Sequence, residues 1–313
     1  MLPAESERYS ADLGCWGENG VVNPFNFVQQ RAGDAIFARI AGDEGPARRD
    51  RIHFAEGPRR HGPDSAIYRV HSDASMFVGG MRALLLQSLH PLAMAAVDQH
   101  SGYRGDPWGR LQRTSTFLAE TTFGTIEDAD RAVRIVNAVH GRIHGIAPDG
   151  RPYRASDPHL IRWVHIAEID SFLRAHDRYG ARRLDAAGRD AYVAETAHVA
   201  RGLGAVDVPE TVAELDELMA AYRPELRGTP AARRTARFIL VHPPVPFALR
   251  APYGLLSAAA VAMMPRWTRV PLRLPWLPVT EATAVRTSGV AITSAIRWAI
   301  GPGPAAQPST PQH

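Results

Sequence analysis

The chain has 313 residues, of which 45% are hydrophobic and 22% are charged, so it has enough apolar material for a large core and lacks the composition of a disordered or fibrous protein. Its 36 basic residues are all arginine, and they exceed the 32 acidic residues by only four, without an arginine-rich run. This small and dispersed excess argues against a nucleic-acid partner. The single cysteine, Cys15, excludes an internal disulfide framework.

The first residues of the chain contain no apolar segment typical of a secretory signal, so we expect a cytoplasmic protein. The most apolar late segment, residues 253–264, lies between Pro252 and Pro265. It is shorter than the roughly 20 residues that a membrane-spanning helix needs. We therefore predict no transmembrane segment, and any membrane contact is expected to be peripheral.

Three regions differ in composition. Residues 1–65 are rich in glycine, proline and charge, with one helical pattern over residues 26–40, and they are predicted to form an arm packed on the main body. Residues 66–300 carry the helical patterns of the main domain. Residues 301–313 are a low-complexity tail, which we predict to be disordered.

The first helix of the main domain is predicted over residues 76–89, after a cap at Ser72 or Asp73, and it is apolar on nearly every face. Pro91 ends or kinks this helix, because proline removes a backbone donor. His90 therefore lies at a break, where backbone carbonyls lose their partners.

A second helix begins at Asp106 and Pro107, a capping residue followed by a proline suited to the first turn, and it ends at Gly124. Arg110, Arg113 and Thr114 are three and four positions apart, so they project from one face of this helix. Two guanidinium groups and a hydroxyl thus share one patch.

A third helix is predicted from Thr125 to Gly145, and it places His140 and His144 one turn apart on its apolar stripe. A fourth begins at Asp157 and Pro158, and His165 falls on its apolar spacing. Further helices are predicted over residues 187–222, with a break at 202–204, and over residues 233–241. No alternating strand pattern and no glycine-rich phosphate loop is present, so the predicted fold is a single large all-α domain.

Inward-facing histidines and arginines in apolar helices predict a bound cofactor, because unpaired buried polar groups each cost on the order of 1–3 kcal/mol. A haem would use one imidazole as axial ligand, with arginines or hydroxyls at its propionates or distal face. His140, Arg110, Arg113 and Thr114 supply such a set. The alternative is a mononuclear non-haem metal, for which the candidate ligands are His140, His144, His165, Glu168 and Asp170.

Several short motifs in this stretch resemble those of a bacterial domain family grouped with the fungal MpaB oxygenase and the latex-clearing rubber oxygenases. The motifs are His90-Pro91, His100-Ser101, Asp106-Pro107, Gly109-Arg110-Leu111, Arg113-Thr114, Phe123-Gly124-Thr125, His140-x-x-Ile143-x-Gly145 and Trp163-Val164-His165. The similarity covers roughly residues 65–280. It implies an all-α fold with a haem pocket between helices, because the rubber oxygenases bind b-type haem through a histidine.

The resemblance places the proximal haem ligand at His140, with His144 as its competitor. Arg110 and Thr114 match the family's arginine and threonine beside the haem, and His165 matches a histidine near the same site. Arg113 stands where the rubber oxygenases carry a lysine, and a guanidinium stays protonated and cannot coordinate iron. His90 completes the set of candidate cofactor-binding residues, and Arg110, Arg113, Thr114 and His165 are the candidate catalytic residues.

The sequence therefore predicts a haem b-dependent oxygenase, oxidase or dehydrogenase that acts on a small or lipid-like apolar substrate with molecular oxygen or peroxide. No residue matches the carboxylate base proposed for rubber cleavage, so polyisoprene is not the expected substrate. The alternatives are a non-haem metal enzyme using His140, His144 and His165, and a haem-binding or apolar-ligand-binding protein without turnover.

Overall fold

The structure, a computed structural model, describes residues 45–100 and 105–301 together with Gln29, Gly33 and Gly42. The regular secondary structure of these residues is helical apart from one hairpin, which confirms the predicted all-α class. The first helices in chain order are α1 Gly45–Phe54, α2 Ala66–His71, α3 Met76–Gln87, α4 Pro91–His100, α5 Pro107–Phe123 and α6 Ile126–His140.

The remaining helices follow the hairpin. They are α7 Pro158–Tyr179, α8 Ala186–Gly202, α9 Val212–Ala221, α10 Pro230–Val241, α11 Arg250–Ala262, α12 Arg266–Leu272, α13 Pro278–Thr280 and α14 Arg286–Ile300. Short 3-10 turns at Arg223–Glu225 and Phe247–Leu249 join neighbouring helices, and a π-helical turn at Glu281–Val285 leads into α14.

Local capping chemistry starts three helices at the residues predicted from the sequence. The side chain of Asp106 accepts from the Gly109 N–H, that of Thr125 from the Asp128 N–H, and that of Asp157 from the His159 N–H. Each side chain satisfies a backbone donor of the first turn that has no partner within the helix. The starts of α5, α6 and α7 are therefore confirmed.

The start of α3 was predicted wrongly. Ser75 is its N-terminal flanking residue, while Ser72 closes α2 and Asp73 forms an ion pair with Arg297 of α14. The burial of α3 agrees with the predicted apolar character, because Leu84, at 39%, is the one exposed residue among its twelve.

A two-stranded hairpin replaces the predicted C-terminal part of α6. The helix ends at His140, and β1 His144–Ile146 pairs antiparallel with β2 Pro152–Arg154, with His144 opposite Arg154. Gly141 and Gly145 weaken a continued helix, and Gly150, at φ 85°, provides the turn that returns the chain. The prediction of a helix to Gly145 without strands is therefore wrong.

Helix α7 forms the centre of the molecule. Its residues Trp163, Ile166 and Leu173 lie in the main hydrophobic core, together with apolar residues of α2, α3, α8 and α9. Helix α3 packs along α7, and α3 also contacts α11, which in turn contacts α14. Gly79 allows the close approach, because a Cβ at this position would lie 2.8 Å from Cδ1 of Phe172.

The described part of the predicted N-terminal arm lies against α5, where Arg48 of α1 donates to the Thr116 hydroxyl at 3.1 Å. Of the helix predicted over residues 26–40, only Gln29 and Gly33 are described, and both are helical. The predicted disordered tail, except for Gly301, lies outside the described residues.

No single helix of the described residues is long and apolar enough to cross a bilayer. One bent pair, Phe247–Ala262 with Arg266–Leu272, reaches that length and composition together, at an angle of 120°.

Candidate functional site

Five helices pack together, and the candidate ligands His140 and His165 lie on two of them. The five helices are α2, α5, α6, α7 and α8. Helix α6 packs on α5 and α8, α7 packs on α8, and α2 contacts α5, α7 and α8. The hydrogen bond from the Asn137 side chain to the Gly202 carbonyl, at 2.8 Å, joins the last turns of α6 and α8. His140 is one turn beyond Asn137, so α6 brings it to this junction.

His140 is the last residue of α6 and is half-buried. Its Nδ1 atom is buried and has no hydrogen-bond partner among the described residues. Burial lowers the pKa of the imidazole, which therefore stays neutral at pH 7. A buried ring nitrogen without a partner destabilises the folded protein by on the order of 1–3 kcal/mol, unless a ligand bonds to it.

His165 has the same property on α7. Its Nε2 is buried without a hydrogen-bond partner among the described side chains and backbone. Burial, together with the charge of Arg201 on α8, lowers the pKa of His165 to about 4. His140 and His165 are thus two neutral imidazoles, each with one unsatisfied ring nitrogen, on helices that both contact α8.

Glu168 lies one turn along α7 from His165, on the same face. Burial raises the pKa of Glu168 to about 7. Its carboxyl group therefore holds a proton near neutrality and can release it with a small change in surroundings, which is the property required of a general acid or base.

A hydrogen-bonded group of three side chains adjoins Glu168. His71 of α2 bonds through Nδ1 to the Thr122 hydroxyl at 2.8 Å and through Nε2 to the Tyr192 hydroxyl at 3.3 Å. Burial lowers the pKa of His71 to about 3. Burial, with the nearby charge of Glu168, raises the pKa of Tyr192. We call His71, Thr122, His165, Glu168 and Tyr192 the central polar cluster.

Three members of this cluster were not predicted as site residues. His71, Thr122 and Tyr192 come from three different helices, so their meeting depends on tertiary packing. The only local signal was that His71 and Tyr192 are polar groups next to the apolar residues Val70 and Val193.

The predicted residues of α5 lie nearer to solvent. Arg113 and Thr114 are exposed, and Arg113 Nη1 lies 3.4 Å from Oδ2 of Asp106, the residue that caps its own helix. Arg110, one turn earlier, is half-buried. None of the hydrogen bonds described for the central polar cluster involves Arg113 or Thr114.

The structure separates His144 and His90 from His140. His144 is exposed on β1, so it does not lie one helical turn from His140 as predicted. His90 is buried at the predicted break between α3 and α4, where its Nε2 lies 3.3 Å from the Glu225 carboxylate. Glu225 also contacts His159, at 2.9 Å.

The three histidines of the non-haem alternative do not converge. Among the described residues, the group of histidine and acidic side chains close enough to share a metal ion is His90, His159 and Glu225. His140, His144 and His165 form no such group in that part of the chain.

An open groove of about 700 Å³ lies elsewhere, between α10, α11 and the segment after α12. Apolar side chains and several arginines line it, among them Leu240, Val261, Leu272 and Arg273. None of the predicted site residues lines this groove.

The residues between α5 and α8 fit a haem in their donor chemistry. Nδ1 of His140 and Nε2 of His165 are buried without partners, Arg110 is half-buried on α5, and the apolar ring of Phe172 packs against His71. A b-type haem requires an imidazole ligand, apolar surroundings and cationic partners for its propionates.

Residues 68–298 match the model of a protein family described as "ER-bound oxygenase mpaB/B'/Rubber oxygenase, catalytic domain". The match covers more than two thirds of the chain. Comparisons with curated proteins and with solved structures find no match.

Proposed function

The chain belongs to the family of mpaB and rubber oxygenase catalytic domains, and on this premise we propose that it is a haem b-dependent oxidoreductase of the oxygenase type. The proposal rests chiefly on one observation, the two buried imidazole nitrogens of His140 and His165 that lack hydrogen-bond partners. Each such group is destabilising by itself, and a ligand that bonds to it removes this cost.

In this proposal His140 holds the iron from the end of α6, and His165 faces the same pocket from α7. A bound haem would supply the iron at which molecular oxygen or peroxide is activated. Burial and the charge of Arg201 lower the pKa of His165 and keep its ring neutral, so that its Nε2 can accept or donate a hydrogen bond to a ligand. Arg110, half-buried on α5, is the proposed partner of a haem propionate.

Glu168 is the residue best placed to move a proton in this pocket. Its pKa of about 7 allows its carboxyl oxygen to take or give a proton at neutral pH. The sequence prediction included Glu168 only as a metal ligand, so an acid–base role is a new assignment.

The visible spectrum of the purified protein tests the proposal directly. We expect an intense Soret band and about one haem per chain, with oxygen or peroxide consumed when an apolar substrate is present. A protein without the Soret band after expression with added haem precursor would refute haem dependence. Haem without any turnover would favour the alternative of a carrier.

We also propose that the substrate is small or lipid-like and that the protein reaches it at a membrane surface. In support, Phe247 and Val270 are each 85% exposed and Val279 is 77% exposed. Arg250 lies over the Phe247 ring, which places a cation beside an exposed apolar group as at an interface with anionic lipid.

Co-sedimentation with vesicles of phosphatidylcholine and phosphatidylserine tests this contact. The Phe247→Ser/Val270→Ser variant should bind vesicles less than wild type. Val206→Ser, which removes another exposed apolar side chain, is the matched control and should bind normally. Equal binding by all three proteins, or no binding by wild type, would contradict the proposal.

A further inference from the structure

We propose that His90, His159 and Glu225 form a binding site for a divalent transition-metal ion of the Zn²⁺ class, separate from the proposed haem site at His140. His90 comes from the break between α3 and α4, His159 from the first turn of α7, and Glu225 from the 3-10 turn after α9. The site thus joins three segments that are distant in sequence.

The distances between the donor atoms suit one small ion. Glu225 Oε2 lies 3.3 Å from His90 Nε2 and 2.9 Å from His159 Nε2. All three donor atoms lie within 4.8 Å of one another. Ligands about 2.0–2.1 Å from a tetrahedral Zn²⁺ are separated by roughly 3.3 Å, so little movement is needed to bind the ion.

Hydrogen bonds hold the His159 ring with its Nε2 toward Glu225 and its Nδ1 toward Tyr222. The Tyr222 hydroxyl donates to the main-chain oxygen of His159 at 2.8 Å and accepts from Arg162 Nε at 3.0 Å. It lies 3.2 Å from His159 Nδ1, a contact whose donor depends on which ring nitrogen carries the proton.

A His159 ring with its proton on Nδ1 would present the Nε2 lone pair toward the Glu225 carboxylate, 2.9 Å away. In that tautomer a metal ion held between the two atoms would bind both of them. Tyr222 is then the outer partner that fixes the tautomer and orientation of a histidine ligand, as is usual at metal sites.

His90 can supply the second nitrogen ligand. The ring is buried, which favours the neutral form that binds metals. The Ala93 N–H donates to His90 Nδ1 at 3.5 Å, a long hydrogen bond. Metal binding through Nε2 would exchange this bond for a proton on Nδ1.

An ion can enter the site from solvent, because the side chains of His159 and Glu225 are each 40% exposed. Water can complete the coordination on that side. Trp163, whose ring lies against His90, and His165 are two positions apart on α7, which corresponds to about 200° around the helix. The metal site and the central polar cluster therefore lie on opposite faces of α7.

Zn²⁺ titration of the chelator-treated full-length protein by calorimetry tests the site. Wild type should bind one equivalent that Glu225→Gln and His159→Ala lose or bind more than about a hundredfold more weakly. Tyr222→Phe should weaken binding about 10–100-fold, the range usual for outer partners of ligands. His242→Ala removes an exposed histidine outside the site and should bind like wild type.

The substituted side chains at His159 and Glu225 are partly exposed, so both variants are expected to fold, and their circular dichroism spectra check this. Haem content should be unchanged in Glu225→Gln, which distinguishes this site from the haem pocket. The proposal is overturned if wild type binds no stoichiometric Zn²⁺, or if the folded Glu225→Gln and His159→Ala variants bind it as tightly as wild type.

Discussion

The guanidinium of Arg82 on α3 and the carboxylate of Asp170 on α7 lie 2.7 Å apart in the interior, with side chains only 4% and 6% exposed. Arg82 also donates to the Ser171 hydroxyl at 2.8 Å and to the Met263 carbonyl at 3.0 Å. Asp170 also forms an ion pair with Arg174, whose Nε lies 3.1 Å from its Oδ1. The pair therefore joins the two central helices and a third segment, the end of α11, through satisfied polar groups.

Removing one member of this pair should be strongly destabilising. Asp170→Ala leaves the Arg82 charge buried without its carboxylate, and we expect a loss of about 3–5 kcal/mol in the free energy of unfolding, measured by urea denaturation. The double variant Arg82→Met/Asp170→Leu should recover most of that loss, because no charge remains buried. Asp207→Asn, at the exposed end of another ion pair, should cost less than about 1 kcal/mol.

Two adjacent glycines of α3 should respond differently to alanine. A Cβ at Gly79 would lie 2.8 Å from Cδ1 and 3.1 Å from Cα of Phe172, so Gly79→Ala must push α3 away from α7. We expect it to lower the unfolding temperature and to disturb His71, whose ring contacts Phe172. At Gly80 the nearest atom of Phe172 is 4.0 Å away, so Gly80→Ala should stabilise the protein by about 0.5–1 kcal/mol. Equal effects of the two substitutions would contradict the close helix approach.

The axial ligand can be identified by the haem content of two histidine variants. His140→Ala should purify folded but with little haem, because it removes the proposed iron ligand. His144→Ala, an exposed change on β1, should keep most of the haem. Loss of haem in the second variant alone would move the ligand to the hairpin, and full haem content in both variants would exclude both residues.

Glu168 should make stability depend on pH. The unfolded chain releases this proton near pH 4.5, whereas the folded protein holds it to about pH 7. Stability therefore falls as the pH rises through this window, and the loss is complete above it. Glu168→Gln should be more stable than wild type at pH 8, by about 2 kcal/mol after allowance for partial solvent contact, and should lose that advantage below pH 4.5.

The control for this measurement is Glu127→Gln, which changes an exposed carboxylate in the first turn of α6 and should keep the wild-type pH dependence. If Glu168→Gln follows the same curve as wild type between pH 4.5 and 8, its carboxyl group is ionised in the folded protein and the proposed acid–base role fails.

The sequence correctly predicted features that depend on residues close together in the chain. The caps at Asp106, Thr125 and Asp157 were confirmed, because each side chain bonds to a backbone N–H two or three residues later. The end of α6 was predicted wrongly, because the apolar spacing continues past His140 while strand pairing with residues 152–154 determines the structure.

The contacts of the two polar clusters could not be predicted in this way. His71 meets Tyr192 across 121 positions, and His90 meets Glu225 across 135. No periodic pattern in the sequence indicates either pair, because the packing of several helices brings the two partners together. The roles of Arg110, Arg113 and Thr114 remain predictions, and their position near solvent is the new information.

The unequal burial of α6 and α7 has a consequence for amide hydrogen exchange. Helix α7 buries 13 of its 22 residues, so its central amides should exchange with deuterium only when the whole molecule unfolds. Helix α6 buries only Ala129 and Ala132 of its 15 residues, so its amides should exchange through local opening at a lower free energy. His140 and His165 thus lie on segments of different local stability, and α6, which carries His140, is the one that opens first.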